Sequence, residues 1–401
     1  MAAISWARAF KSSKSQTDTV AIIAPGWAMV LYLAEHLVQA GFDVLIVQDP
    51  AEPFSKPLPR WVRSVVGYGF DTPAFAEQLR ALDRDESISW ILPVAEEAIG
   101  ACQQTLRRSA KIYPRLSDRQ YGLVRDKHRM ADFARSIGLM VPEFTRVSSS
   151  EEAIAVAREM GYPVVVKGNG GRGGLQVAIS HSASEVAAGF AKLAHASPIV
   201  ARYIDGNTWA AGGFFVDGEP LRMHIYECVQ CLPAKTGPAV EIRHDAPPAL
   251  EKAFRQLFRE LGWNGFASAD FIGGSDGAFY FIEMNPRLWG GVTSALAAGN
   301  GVLDPLAPTL RGLTTVGVLD NHNGAWSFAY PRHLDQMAIK PYSLQAIRSI
   351  FSRRTWRGIP NMRYWKSNLY FASDALYQFV RYAGSPILDR LRGRHRRRDV
   401  A

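Results

Sequence analysis

Cysteine is scarce in this sequence, with only 3 among 401 residues. So few cysteines cannot form the disulfide framework of a small secreted protein, and we therefore expect reduced thiols and a cytoplasmic chain. Cys228 and Cys231 form a lone CxxC inside a strand-like run. Residues i and i+3 of a strand point to opposite faces, so we interpret them as two separate thiols.

The sequence also lacks an uninterrupted run of the roughly 20 apolar residues that a membrane-spanning helix needs. The nearest candidate, VAIIAPGWAMVLYLAEHLV, follows basic residues in the manner of a signal or anchor, but Pro25-Gly26 divides it. The continuation GFDVLIVQDP favours strand, helix, Gly41 cap and second strand instead. We therefore expect a soluble chain.

Acidic residues are rare at one end of the chain. Residues 331–401 hold 15 Lys/Arg against 4 Asp, whereas residues 1–330 hold 31 against 33 Asp/Glu, so the net charge of +9 is a C-terminal property. Residues 367–383 place apolar side chains at helical spacing before the basic tail: Leu369, Leu376, Phe379 and Val380. One hypothesis is peripheral attachment to an anionic membrane surface. The other is a helix packed on its own domain with a solvated tail, and we expect no specific nucleic-acid partner.

The order of strand and helix patterns predicts an α/β (α+β) fold in three parts. Residues 19 to about 115 alternate strands and helices, which is typical of a Rossmann-like parallel sheet with ligands at the carboxyl ends of its strands. We assign residues 1–115 to this domain, 116–320 to a second domain with a glycine-rich lid at about 140–200, and 321–401 to a helical, basic extension. Glu96 and Glu97 lie just past one strand end.

The segment GNGGRGG at 168–174 has the G-x-G-x-x-G spacing, but it is not a dinucleotide fingerprint, because LQVAIS after it alternates like a strand. It is not a Walker A loop either, because the sequence contains no Gly-Lys pair. What remains is a hairpin loop whose backbone N–H groups can approach phosphate oxygens, with Lys167 before it. Taken alone, such a loop is equally consistent with a surface hairpin.

The segment FIEMNPRLWGG at 281–291 carries a second signal. If Asp276-Gly277 is the turn of a hairpin, Asp270 falls directly opposite Glu283, and alternation puts Phe281, Glu283 and Asn285 on one face. Opposed like charges are destabilising at about 4.5–5.5 Å, so we expect a compensating cation. Three oxygen ligands beside phosphate oxygens suit Mg²⁺, and the alternative is a hairpin with solvated carboxylates.

These motifs, in this order, resemble the ATP-grasp superfamily of ATP-dependent carboxylate-amine ligases, which includes biotin carboxylase, D-alanine ligase and carbamoyl-phosphate synthase. The resemblance covers roughly residues 115–315, with a preceding domain of the type these enzymes carry. It implies an ATP-grasp fold and an ATP-dependent ligase that activates a carboxylate as an acyl phosphate and joins it to an amine. The implied cofactors are ATP and Mg²⁺, with Mn²⁺ as a substitute, and a homodimer stays open.

The resemblance also implies roles for individual residues. VRDKHRMADFARSIGLMVPEF puts Lys127 on the nucleotide phosphates, and YFIEMNPRLWGG makes Asp270, Glu283 and Asn285 the metal ligands and Arg287 the arginine of the reacting phosphate. PVVVKGNGGRGG resembles the lid strand and loop, which puts Lys167 on the nucleotide phosphates. The nucleotide-binding residues of that loop are the glycines Gly168, Gly170, Gly171 and Gly173. PIVARYIDG resembles the adenine hinge, which comprises Ala201, Arg202, Tyr203, Ile204 and Asp205.

Two points depart from the family pattern or stay open. Family hinges often carry Glu or Gln near Ala201, so nucleotide selectivity is open here, with Asp205 as a candidate for the ribose. Lys235 is a candidate catalytic or substrate-anchoring residue in the segment between the hairpins. Two other functions compete with the ligase: a kinase-like phosphotransferase on the same scaffold and a nucleotide-binding module without turnover.

Overall fold

The computed structural model describes residues 18–54, 56–169, 176–231, 239–313, 326–328 and 362–373. They form three sheets with helices packed against them. No helix in these ranges combines the length and the apolar character that crossing a membrane requires.

The N-terminal part is the predicted parallel sheet. Its elements are β1 (Thr19–Ala24), α1 (Ala28–Gln39), β2 (Asp43–Gln48), β3 (Arg63–Val66), α2 (Pro73–Arg84), β4 (Ile88–Pro93) and α3 (Glu96–Thr105). The strand order is β3-β2-β1-β4, and all pairings are parallel. Every residue of β1 is buried, as expected for a parallel strand covered on both faces. The sequence reading missed β3, a four-residue edge strand with alternating exposure.

Two helices lead into a small antiparallel sheet. The elements are α4 (Asp118–Val124), α5 (Lys127–Ser136), β5 (Phe144–Arg146), α6 (Ser150–Met160), β6 (Val164–Lys167), β7 (Val177–Ser180), α7 (Ala183–Leu193), a 3-10 turn (Ala194–Ala196) and β8 (Ile199–Arg202). The strand order is β5-β8-β6-β7. Helices α6 and α7 bury Ala153, Ala157 and Val186 against Val164 and Val166 of β6. The predicted strand, loop, strand around the glycines is confirmed by β6 and β7.

The third sheet has six strands and carries the predicted metal hairpin. The elements are β9 (Gly206–Val216), β10 (Glu219–Cys231), β11 (Ala239–His244), α8 (Pro248–Leu261), β12 (Gly265–Gly274), β13 (Phe279–Asn285), α9 (Val292–Ala297), α10 (Leu306–Leu310) and β14 (Trp326–Phe328). The order is β13-β12-β9-β10-β11-β14. Helix α8 covers one face with Phe254, Leu257 and Phe258. Asp217 and Gly218 both have positive φ, as a tight hairpin turn between β9 and β10 requires.

The described C-terminal residues pack on the N-terminal part. A 3-10 turn (Met362–Tyr364) leads into helical residues 365–373, and the buried Tyr364, Tyr370 and Phe371 join the core that surrounds α1. The carboxylate of Glu35 on α1 accepts hydrogen bonds from the Ser367 N–H at 2.8 Å and the Ser367 hydroxyl at 2.6 Å. Packing on the protein's own domain is therefore confirmed for this piece.

The rest of the predicted C-terminal helix, with Leu376, Phe379 and Val380, lies outside the described residues, and so does the basic tail. The boundary predicted at 320/321 also falls outside them. The three-part division of the chain thus stays a prediction.

Candidate active site

The hairpin of β12 and β13 places two carboxylates opposite each other. Asp270 pairs with Glu283, as the sequence predicts. The turn is one residue longer than predicted, because the Gly274 N–H bonds to the Ala278 carbonyl at 2.9 Å. A bulge between the pairs Phe271–Phe281 and Asp270–Glu283 then restores the predicted register.

The bulge corrects one part of the predicted face. Simple alternation puts Phe281 on the side of Glu283, but Phe281 and Met284 share the buried core beneath α8. The extra residue on β13 reverses the alternation, so Phe281 is buried while Glu283 and Asn285 face the other side.

Pairing across the sheet extends this polar face over several strands. One row contains Glu283, Asp270, Ala210, Tyr226 and His244. The next row contains Asn285, Ser268, Gly212 and His224. Directly paired residues share a face, so Asp270, Glu283 and Asn285 present their oxygens on one side. The Asn285 amide also donates to Glu283 at 3.4 Å.

Lys127 reaches this face from the first turn of α5. The Asp126 side chain caps that helix by accepting from the N–H groups of His128 and Arg129. The Lys127 ammonium lies 2.6 Å from Glu283. Burial alone would raise the pKa of Glu283, but the charge and hydrogen bond of Lys127, with smaller effects of Lys167 and Asn285, together lower it.

The second carboxylate has the opposite environment. Burial raises the pKa of Asp270 to about 8, and the neighbouring Glu283 carboxylate adds to this, while Arg287 and Lys127 oppose it. The pair therefore carries less negative charge than two free carboxylates would. A cation placed against both carboxylates would oppose this shift, because it stabilises the charged form of each.

Lys167 ends β6 next to the glycine loop. Burial lowers the pKa of Lys167, the Glu283 carboxylate opposes this shift, and the Lys127 charge adds to it. Both lysines therefore lie within electrostatic reach of Glu283. The loop starts in close contact with the 3-10 turn, since a Cβ on Gly168 would lie 2.8 Å from the Ala196 Cβ.

Arg287 lies just past the end of β13, and its guanidinium has three hydrogen-bond partners. Its Nε donates to Glu96 at 3.1 Å, one Nη to Asn285 at 3.2 Å and the other Nη to the Leu288 carbonyl at 3.3 Å. The guanidinium also lies 5.1 Å from the ring centre of Trp27. The side chain is only 13% exposed, so it is held in place from several sides.

The predicted hinge joins the two antiparallel sheets. Ala201 and Arg202 end β8, and residues 203–205 connect it to β9. The buried Ala201 pairs with Val165 of β6 and Phe144 of β5. A segment with one end in each sheet can contact a ligand bound between them. The adenine role of Ala201–Asp205 stays a prediction.

Some predicted site residues fall outside the described part of the chain: Lys235, Gly170, Gly171 and Gly173. Their roles stay predictions. Within the described ranges, no group of three or more His, Cys, Asp or Glu side chains could hold a metal by itself. The pair of Asp270 and Glu283 would therefore need Asn285 and ligand oxygens to complete a shell.

The cysteine prediction needs a correction. The register of β10 shifts on both sides of Gln230, and the thiols of Cys228 and Cys231 hydrogen-bond to each other. This bond lowers the pKa of Cys231 and raises that of Cys228. Both are free thiols, as expected, but they do not point apart.

Three residues at the site had no predicted role there. Glu96 and Trp27 follow the adjacent strands β4 and β1, and the only sequence signal was their place at strand ends. His128 is 3% exposed, and among the described atoms its Nε2 has no partner. Burial lowers the pKa of His128, and nearby Lys167 adds to this. In the sequence, only the position of His128 next to Lys127 indicated that it lies at the site.

Comparison with known proteins agrees with this geometry. Residues 124–291, from the end of α4 to the loop after β13, match the model of the ATP-grasp domain. Solved structures that resemble the chain support the same fold. Residues 124–291 are an ATP-grasp domain. The predicted resemblance and the fold class are confirmed.

Three relatives illustrate the likeness. Biotin carboxylase of Pseudomonas aeruginosa is 30% identical over 154 residues, 34% of this chain and 34% of that protein. The chain thus spans about a third of the length of this curated relative. The ADP complex of N5-carboxyaminoimidazole ribonucleotide synthetase has a TM-score of 0.64 at 15% identity, covering 83% of this chain and 86% of that one. L-amino acid ligase of Bacillus licheniformis has a TM-score of 0.58 at 20% identity, covering 74% and 75%.

The residues of the ATP-grasp domain fit a magnesium-bound triphosphate. Asp270, Glu283 and Asn285 are hard oxygen donors on one face, and the like charge of the first two is relieved by a divalent cation. Lys127 and Lys167 add positive charge on the same side, where phosphates would need it. Donor type and charge both agree with the group that the fold implies.

Proposed function

We propose that this protein is an ATP-dependent ligase that activates a carboxylate with Mg-ATP and joins it to an amine, with release of ADP and phosphate. One observation carries the proposal: Lys127 and Arg287 contact the oxygen donors of the β12–β13 hairpin, and Lys167 lies within electrostatic reach of Glu283. A polyanion with a divalent cation satisfies both sets of charges. The similarity to biotin carboxylase supports the same reaction class.

Each residue has a role that follows from its position. Magnesium, when bound, would supply positive charge that neutralises the phosphate oxygens. Asp270, Glu283 and Asn285 would hold it, because their oxygens share one face. Lys127 and Lys167 would bind phosphate oxygens from the side of the small sheet.

Arg287 would stabilise the negative charge that develops where the carboxylate and the phosphate react. Its guanidinium is held by three hydrogen bonds to groups of the protein itself, which keeps the cost of reorganisation low. Lys235 remains a proposed anchor for the carboxylate or amine.

The test is an ADP-release screen with Mg-ATP over pooled carboxylates and amines, with hydroxylamine as a substitute acceptor. We expect an acyl hydroxamate from the responding carboxylate. The key variant is Asp270→Asn, which removes the negative charge of one of the two opposed carboxylates in the β12–β13 hairpin. Asp276→Asn is the matched control, because Asp276 is an exposed residue of the same hairpin's turn.

We expect Asp270→Asn to lower ADP release by about 100-fold or more and Asp276→Asn to change it less than twofold, as for removal of a transition-state charge contact. A stable phosphorylated product without hydroxamate would indicate the kinase-like reaction. Tight Mg-ATP binding without ADP release would indicate a binding module. Equal activity of both variants would refute the metal site.

Two further predictions concern partners. We infer that the chain works in the cytoplasm, and that its basic C-terminal tail attaches it peripherally to anionic lipid. Co-sedimentation with phosphatidylserine vesicles should then be lost when residues 385–401 are deleted, and no binding by the full chain would end the idea. A homodimer is the second prediction, and sedimentation velocity tests it.

A further inference from the structure

The position of Arg287 depends on a residue from the N-terminal sheet. Its bonds to Asn285 and the Leu288 carbonyl come from its own hairpin and loop, but the bond from Nε goes to Glu96, 191 positions away in sequence. Glu96 is the first residue of α3, directly after β4. The contact therefore joins the first domain to the ATP-grasp domain at the site itself.

A simpler role for Glu96 has to be separated from this one. Acidic residues in the first turn of a helix stabilise the helix dipole, and Glu96 and Glu97 both occupy that turn. Glu97 is exposed, whereas Glu96 is half-buried against Arg287. If the dipole were the whole explanation, the two residues would be interchangeable.

Three observations favour a specific task for Glu96. Its carboxylate bonds to the guanidinium Nε, which fixes the plane of the group and leaves N–H donors on the Nη atoms for a ligand. Trp27, from the end of the neighbouring strand β1, contacts the same guanidinium at 5.1 Å. The Glu96 charge also raises the pKa of Lys127, after the larger effects of burial and Glu283, so Glu96 faces both cations.

We propose that Glu96 is a positioning residue that orients Arg287 toward the reacting phosphate and carboxylate, so that the N-terminal domain completes the active site. This inference rests on the proposed function. An arginine side chain has several rotatable bonds, and without Glu96 its described contacts would be the Asn285 side chain, the Leu288 carbonyl and the face of the Trp27 ring. A displacement of about 1 Å from the productive position costs up to about 100-fold in rate.

The experiment is a double-mutant cycle with a matched control. The proteins are wild type, Glu96→Gln, Arg287→Lys, the double variant and Glu97→Gln. ADP release is measured with the carboxylate found in the screen above, together with KM for ATP. Tm of the ligand-free proteins is measured in parallel, because it reports the contact without any turnover.

We expect Glu96→Gln to lower kcat by 10- to 100-fold with KM for ATP changed less than threefold, and Glu97→Gln to stay within twofold of wild type. In the Arg287→Lys background, Glu96→Gln should add less than twofold, since the residue acts through Arg287. The proposal would be overturned if the losses of kcat in the two single variants multiply in the double variant. Equal losses of kcat in Glu96→Gln and Glu97→Gln would also overturn it.

The outcome separates this inference from the proposed function. If wild-type protein releases no ADP with any carboxylate, the proposed function fails and the Tm cycle decides the contact alone. A Tm loss in Glu96→Gln that disappears in the Arg287→Lys background supports the coupling. Additive Tm changes refute it.

Discussion

The ion pair of Lys127 and Glu283 predicts an unusual dependence of stability on magnesium. The two groups lie 2.6 Å apart with side chains 20% and 26% exposed, so the pair is largely removed from water. The ammonium is the cation closest to the carboxylate pair of Asp270 and Glu283 among the described ion pairs. Changing Lys127→Met removes that charge and nearly preserves the volume of the side chain.

The magnitude follows from the burial of the pair. Breaking a fully buried pair costs about 3–5 kcal/mol, and the partial exposure here lowers the expectation to about 2–3 kcal/mol of unfolding free energy. The variant should therefore melt several degrees below wild type in EDTA. Magnesium can then approach both carboxylates freely. At ten times its Kd, its binding raises the free energy of unfolding by about 1.4 kcal/mol.

Thermal denaturation with EDTA or with Mg²⁺, without nucleotide, is the assay. We expect magnesium to raise the Tm of Lys127→Met more than that of wild type, in which Lys127 competes with the metal for Glu283. The control is Lys192→Met, which removes an exposed lysine on α7. A variant as stable as wild type, with no magnesium effect, would refute the account of the carboxylate pair.

Four other changes give separate tests. Gly212→Ala should lower Tm by several degrees, because its Cβ would lie 2.1 Å from the Trp289 ring, and circular dichroism checks this. Asp205→Ala should weaken ATP binding about 5- to 10-fold but leave binding of 2′,3′-dideoxy-ATP nearly unchanged, as calorimetry would show if this carboxylate holds the ribose. Burial lowers the pKa of His36 to about 4, so the unfolded chain takes up a proton that the folded chain excludes between pH 6.5 and 4. Wild type should lose about 3 kcal/mol of unfolding free energy over that window relative to His36→Phe, and equal denaturant midpoints at pH 4.5 and 7.5 in both proteins would contradict this. Residues 116–401 alone should aggregate on gel filtration.

Local signals in the sequence account for most of what was predicted correctly. The pairing of Asp270 with Glu283 follows from one turn signal and a count of positions. The longer turn and the bulge could not be read from the sequence, because they cancel in the register at Asp270. They show on the turn side of the bulge, where Phe281 is buried on the core face and not on the face of the predicted metal ligands.

Contacts between distant segments were beyond reach for a physical reason. The bond of Arg287 to Glu96 spans 191 positions, and that of Ser367 to Glu35 spans 332. No periodicity or spacing in the sequence around these residues indicates the partner of either contact, because each contact depends on how distant parts of the chain pack. Strand β3 was missed because four residues of alternating exposure give too short a pattern.

The packing joins the loop after Arg287 to the N-terminal part of the chain. One apolar cluster holds Leu288 and Trp289, from the loop after Arg287, together with Leu31 and Leu33 of α1 and Leu306 of α10. The segment that begins with Arg287 thus buries its apolar side chains against the first domain. Because cores pack densely, a shift of α1 moves this loop as well. The contact of Glu96 with Arg287 is therefore built on a shared core.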